Sequence, residues 1–338
     1  MTAAAAALPG LALAAAVAAV ATLLASRVPL AGAPVLGIVF GAALSPVVRP
    51  GARLAPGLEV AGKFFLQAAI VLLGTGLSLG QVARVGGGSL PVMVGTLLIG
   101  LGSAWWCGRL LGIGSGATTL IGVGTSVCGA SAIAAVTAVM DVADADVAYA
   151  IGTVFTFNIA AVLLFPVVGH LLGLSQHAFG LWSGTAINDT SSVVAAAYSY
   201  GADAGSYGVV VKLTRTLMII PICAVLVGLR ARRLRRGVHA PAGGGGGRLR
   251  WTKIIPLFLG GFLLASALDT AHAIPSSWHA NLNTAGLFLI TLALAGIGLS
   301  IRLAQLRRAG ARPLVLGGIL WVTVAVSSLV LQALTGTL

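Results

Sequence analysis

A chain of 338 residues with 20 Lys or Arg against 7 Asp or Glu carries a formal net charge of +13, yet only 8% of its residues are charged and 58% are hydrophobic. A soluble domain carries about 25% charged residues, so the composition excludes a water-exposed globule and makes lipid the solvent for most of the chain. It also argues against nucleic-acid binding, because only 6% of residues are aromatic and the basic ones fall in short clusters between apolar runs, where the positive-inside rule puts them.

A helix needs about 20 mainly apolar residues to cross a bilayer. The sequence predicts eleven such segments, at 9–26, 32–48, 57–79, 89–112, 116–140, 146–173, 178–200, 205–229, 253–270, 283–301 and 313–335. Together they predict one polytopic, all-α transmembrane domain over residues 1–338. The first lies in MTAAAAALPGLALAAAVAAV, where no Lys or Arg precedes the apolar core, and reads as a membrane helix rather than a cleaved signal. Near the start of the third, Glu59 and Lys63 stand at i and i+4 and are expected to pair and snorkel towards the surface, with an inward reach of Lys63 as the alternative. The stretch that ends the third and opens the fourth, GTGLSLGQVARVGGGSLPVMVGTLL at 74–98, aligns without a gap with GIGLSIRLAQLRRAGARPLVLGGIL at 296–320. Gly74/Gly296, Gly76/Gly298, Ser78/Ser300, Pro91/Pro313 and Gly95/Gly317 coincide. The copies end helices three and ten, which run oppositely, so they predict an inverted repeat of the kind that builds secondary transporters.

The fifth and seventh segments are interrupted. GVGTSVCGASAIAA (122–135) and SGTAINDTSSVVAA (183–196) place glycines and short hydroxyl residues at mid-span, and they share Gly124/Gly184, Thr125/Thr185 and Ser131/Ser191. Unwound backbone at that depth persists only when it is buried in protein or lines a wet cavity. Broken helices also turn N–H groups and positive dipole ends towards the midplane, which suits an anion. Between the two breaks, Asn158 is expected to make an interhelical hydrogen bond. Asp189 is the one acid deep in a predicted span, where a charge is costly unless paired or hydrated. Lys212 and Arg215, at i and i+3 on the eighth segment, share one helical face. One is expected to pair with Asp189 and the other to meet an anionic substrate. The candidate substrate-binding set is therefore Gly124, Thr125, Ser126, Cys128, Gly129, Ser131, Asn188, Asp189, Thr190, Ser191, Lys212 and Arg215.

Beyond the eighth segment, residues 230–252 read RARRLRRGVHAPAGGGGGRLRWT, a basic, Gly-rich linker expected in the cytoplasm. Alternation then puts Arg49, Arg53, Arg109, Arg302, Arg307, Arg308 and Arg312 inside. Outside fall Arg27, Arg84 and the acidic stretch DVADAD at 141–146. The N-terminus is expected to be cytoplasmic and the C-terminus external, in the cell inner membrane. Asp269 and His272 are expected to be solvated at the outer end of the ninth segment. Cys107, Cys128 and Cys223 lie apart with no CxxC spacing, which suggests neither a disulfide framework nor a zinc site. No HExxH, GxGD, GxSG or Walker A pattern appears, so neither an enzyme nor an ATP-driven pump is expected.

IGVGTSVCGASAIAA, AINDTSSVVAAAYSYG, KLTRTLMIIP and the GLSL before a basic loop resemble the YeiH family of sulfate exporters over nearly the whole chain. Many members of that family carry His before the Asp of the DTSS motif where this chain has Asn188, a departure that argues against a proton-shuttling role at that position. The family is grouped with the cation–proton antiporter and bile-acid symporter folds. The resemblance thus implies inverted repeats, crossed broken helices and a transport domain moving against a scaffold. The expected function is secondary active transport of a small inorganic or organic anion. The alternative is an electroneutral cation–proton antiporter with Asp189 as carrier. The expected partners are a small anionic substrate and the lipid bilayer, with no cofactor beyond a coupling Na+ or H+; a homodimer is compatible with this reading.

Overall fold

The computed structural model describes residues 3–25, 27, 32–48, 51, 53–137, 140, 142–223, 225–226, 228, 257–300 and 311–338. The 230–252 linker, Arg49 and the arginines at 302–308 lie outside the described residues. The elements described are all helices: α1 (Ala3–Ala25), α2 (Ala33–Val48), α3 (Ala55–Gly74), α4 (Leu79–Leu110), α5 (Ser115–Ser126), α6 (Ala130–Thr137), α7 (Asp144–Leu171), α8 (Gln176–Ala186), α9 (Thr190–Tyr200), α10 (Ala202–Leu217, carried on to Cys223), α11 (Leu257–Thr270), α12 (Ser276–Ser300) and α13 (Ala311–Thr335). Seven of them are long and apolar enough to cross a membrane, namely α1, α3, α4, α7, α10, α12 and α13. Helices α2 and α11 are shorter and apolar.

The fifth and seventh predicted segments contain the two breaks, but neither is a crossing. Each is a helical hairpin. Gly180 packs against Ala204 and Gly208, and Gly184 against Gly208 and Val211, so α8 runs parallel to α10. The Tyr198 ring covers Gly205 while Ala197 faces Gly208, so α9 runs antiparallel to α10 and therefore to α8. The two ends of this hairpin meet. Gln176 Oε1 accepts the N–H groups of Asp203 and Ala204 at 3.0 and 3.2 Å, and the Tyr200 hydroxyl donates to Gly169 O at 3.3 Å. In the first hairpin Gly124 faces Ile133 across the turn, and Gly116 lies against Val142 and Asp146 at the far end.

Local chemistry sets both reversals. Helix α4 ends on Gly112 at φ +62°, with Ile113 N–H bonded back to Gly108 O. Helix α7 ends on Gly173 at φ +64°, with Leu174 N–H bonded to Gly169 O. A left-handed residue after the last turn, with this back-bonding, closes the helix and redirects the chain. Ser175 then caps α8 by accepting Ala178 N–H at 3.1 Å.

The helices form two groups. Helices α1, α2, α3, α11 and α12 pack together, with α2 parallel to α12, because Gly37 meets Thr291 and Gly41 meets Ala295 and Leu299. The hairpins pack with α4, α7, α10 and α13. Small residues make the close contacts, as expected where helices associate in lipid. Contacts between the groups run mainly from α9 to α2 and α12, and from α11 to α4.

Two hairpins in place of two crossings leave the termini where the charge bias put them but exchange the sides of the links flanking α7. The described part of the acidic stretch, 142–146, moves to the face that holds Arg109, and the α7–α8 turn moves to the opposite face. We expect Ala143→Cys to react with an impermeant thiol reagent only from the cytoplasmic side, and Leu172→Cys only from outside. Eleven crossings would give the opposite pattern at both sites.

Candidate functional site

The breaks at 127–129 and 187–189 bring two hairpin tips together. Gly129, at φ +67°, sits against Asp189 Cβ and the Asn188 backbone, with a Cβ at Gly129 reaching Asp189 Cβ at 3.6 Å. That distance is ordinary contact, so the left-handed backbone is the reason for glycine there.

Each tip exposes the carbonyl end of an entering helix, where partial negative charge gathers. Both ends are met by cations from α10. Lys212 Nζ donates to Val127 O at 2.7 Å and to Ile187 O at 2.8 Å, one carbonyl from each tip. Arg215 donates from Nε at 3.0 Å and from a terminal nitrogen at 2.6 Å, both to Ser126 O. The side chains are 0% and 1% exposed. On the other side, Asn158 Oδ1 at the middle of α7 accepts the N–H groups of Asn188 and Asp189, each at 3.2 Å. The expected interhelical role of Asn158 is thus a clamp on the second tip. Asp189 caps α9, accepting from the Ser191 N–H at 3.0 Å and from the Ser191 hydroxyl.

This arrangement corrects the expected charge pairing. Among the described residues the one ion pair within 4.0 Å is His279–Asp269 at 2.7 Å, so neither Lys212 nor Arg215 pairs with Asp189. The physical reason is that two helix C-termini offer carbonyl acceptors that cannot be left unmet in lipid. Nor is Asp269 left unpaired at its helix end, and Glu59 does not pair with Lys63. A hydrogen bond to a neutral carbonyl occupies a donor without cancelling its charge, so the tips keep two cations against one carboxylate. Some polar atoms stay unmet as well. Arg215 Nη1, both amide atoms of Asn188 and Ser126 Oγ are buried with no hydrogen-bond partner among the described residues.

A cavity of about 710 Å³ opens between the two helix groups and reaches the second tip. Asp189, Ser191, Ser192, Asn158 and Thr156 line one wall, and Glu59, Lys63, Leu58, Ile38 and Ile297 the other. Of the sequence-predicted set, Ser126, Cys128, Gly129, Asn188, Asp189, Thr190, Ser191, Lys212 and Arg215 gather at the tips. Gly124 and Thr125 are buried in the last turn of α5, and Ser131 is exposed on α6. Sequence reasoning held the inward reach of Lys63 only as an alternative, and missed the cavity-facing place of Glu59 and of Ser192 on the other wall. It also missed the bond between Thr185 and Ser328 (2.6 Å), which ties α8 to α13. Among the described residues no group of three His, Cys, Asp or Glu side chains could hold a metal ion.

A profile of the family described as conserved hypothetical protein 698 matches residues 9–317. A UPF0324 membrane protein of Clostridium tetani is 37% identical over 312 residues, covering 91% of this chain and 90% of its own. UPF0324 membrane protein SAG1125 of Streptococcus agalactiae is 38% identical over 337 residues, covering 98% of each chain. UPF0324 membrane protein M6_Spy0799 of Streptococcus pyogenes is 40% identical over 336 residues, covering 97% of each. These names place the relatives in a membrane and state no substrate. No solved structure matches the chain.

Proposed function

The chain belongs to the conserved hypothetical protein 698 family of membrane proteins, and from that premise we propose that it is a secondary transporter of a small anion working by alternating access. The observation that carries the anion reading is the buried, partnerless Arg215 Nη1 beside Lys212, with Asp189 the one carboxylate at the tips. Buried cations in excess favour an anion that supplies the missing charge through charge-assisted hydrogen bonds. Among the described residues, Arg215 Nη1 and the Asn188 amide nitrogen are donors with no acceptor, as an oxyanion would require.

Alternating access rests on a repeated unit. GRLLGI at 108–113 precedes the first hairpin and GHLLGL at 169–174 the second. The helices ending on these motifs run oppositely, so helix plus hairpin makes an inverted repeat around the tips, the usual placing of a transporter site. The module carrying the tips would rock against the five-helix module, with the cavity as the access path on one side. An anion reaching Arg215 from the cavity must pass Asp189, so a proton or Na+ at Asp189 is the coupling ion this reading requires.

One observation favours the rival reading of cation–proton antiport: Asp189 lines the cavity and has no ion-pair partner among the described residues. A thermal-shift series on the purified protein with sulfate, methanesulfonate and acetate, varying sodium and pH separately, distinguishes the two. Binding to the folded state alone raises its stability by mass action. Stabilisation by an anion supports the proposal; a response to sodium or pH with none to any anion supports antiport.

A further inference from the structure

We infer that Lys63 is a substrate-binding residue, the cation that receives the anion in the cavity before it reaches the hairpin tips; the inference rests on the anion reading above. The α10 cations cannot play this part, because Lys212 and Arg215 are buried and do not line the cavity. Lys63 is exposed and is the one cation among the described residues lining the cavity.

Two further features set Lys63 apart. It sits at the centre of a π turn, Ala61–Phe65, inside α3, where Leu66 N–H bonds back to Lys63 O. Such a turn is rare, occurs mostly as a single turn inside an α-helix, and is frequent at functional sites. Its ordinary partner would be Glu59, one turn earlier, yet no ion pair forms within 4.0 Å. Among the described residues nothing claims the ammonium group, which lies inside a membrane-spanning helix and shares the cavity with the Ser192 hydroxyl of the facing module; the Ser191 hydroxyl is already given to Asp189. An ionisable side chain within a membrane helix that faces a cavity marks a substrate path. A small oxyanion held between Lys63 and the Ser192 hydroxyl would bridge the two helix modules, so Lys63 also reports whether the cavity is occupied.

The test is the sulfate and methanesulfonate concentration needed for half-maximal thermal stabilisation of the full chain, at constant ionic strength. It is measured for wild type, Lys63→Gln, Lys63→Arg and Glu59→Gln. Losing a hydrogen bond to a charged group raises that concentration by about tenfold or more, so Lys63→Gln should shift by at least that much. Lys63→Arg should stay within about threefold of wild type, since it keeps the charge. Glu59→Gln should shift downward or not at all. A Lys63→Gln protein that titrates like wild type, or a Glu59→Gln protein that weakens equally, overturns the inference and leaves the anion reading standing. A wild type that answers to no anion overturns both.

Discussion

Lys212→Met should be the most destabilising single change in the tip region, even though methionine nearly fills the space the lysine leaves. One ammonium group holds Val127 O and Ile187 O, so its loss unpins both hairpins at once. Two effects oppose each other. Removing a buried charge relieves its desolvation cost, and this favours the variant. Against it stand two buried carbonyls left unmet, at about 1–3 kcal/mol each, and two helix C-termini deprived of their cation. No water reaches the site from lipid to replace the lost donor, so the second effect wins. We expect a net loss of about 2–4 kcal/mol, seen as a melting temperature in detergent lower by roughly 5 °C or more. A Lys212→Met protein that melts with wild type would show that the tips hold themselves together.

Arg215→Gln should abolish stabilisation by anions in protein that still folds. Gln can replace one donor to Ser126 O but offers no charge and no second fork. The anion then meets Lys212 alone, and that ammonium is already committed to two carbonyls. Arg215→Lys should restore the response only in part, because it returns a point charge without the planar donor array. The check is the melting-temperature rise at saturating sulfate or methanesulfonate. A full wild-type rise in Arg215→Gln would place the anion elsewhere.

Much of this site is legible in the sequence. Gly, Ser, Thr and Asn at mid-span cannot face lipid, and that alone locates both breaks and collects most of the tip residues. Direction is harder to read. A broken segment of 23–25 residues is long enough to cross a bilayer, and hydropathy treats a crossing and a hairpin alike. The recurrence of GRLLGI and GHLLGL, each ending in a left-handed glycine, was the available sign that the chain turns back. Charge pairing was misjudged for a related reason. Sequence sets one carboxylate against two cations, but it does not display the helix C-terminal carbonyls, and these claim Lys212 and Arg215 first. Glu59 and Lys63 look like an ordinary i, i+4 surface pair until the cavity between the two modules is seen.

The central claim is that the hairpin tips carry an anion across the membrane, and counter-exchange in sealed proteoliposomes tests it most directly. Vesicles loaded with sulfate or methanesulfonate and placed in trace labelled anion should accumulate label with wild-type protein. Vesicles carrying Arg215→Gln of matched folded content should stay at the level of empty liposomes. Anion exchange by Arg215→Gln at the wild-type rate would contradict the account, as would wild-type vesicles that move no anion yet dissipate a sodium or proton gradient.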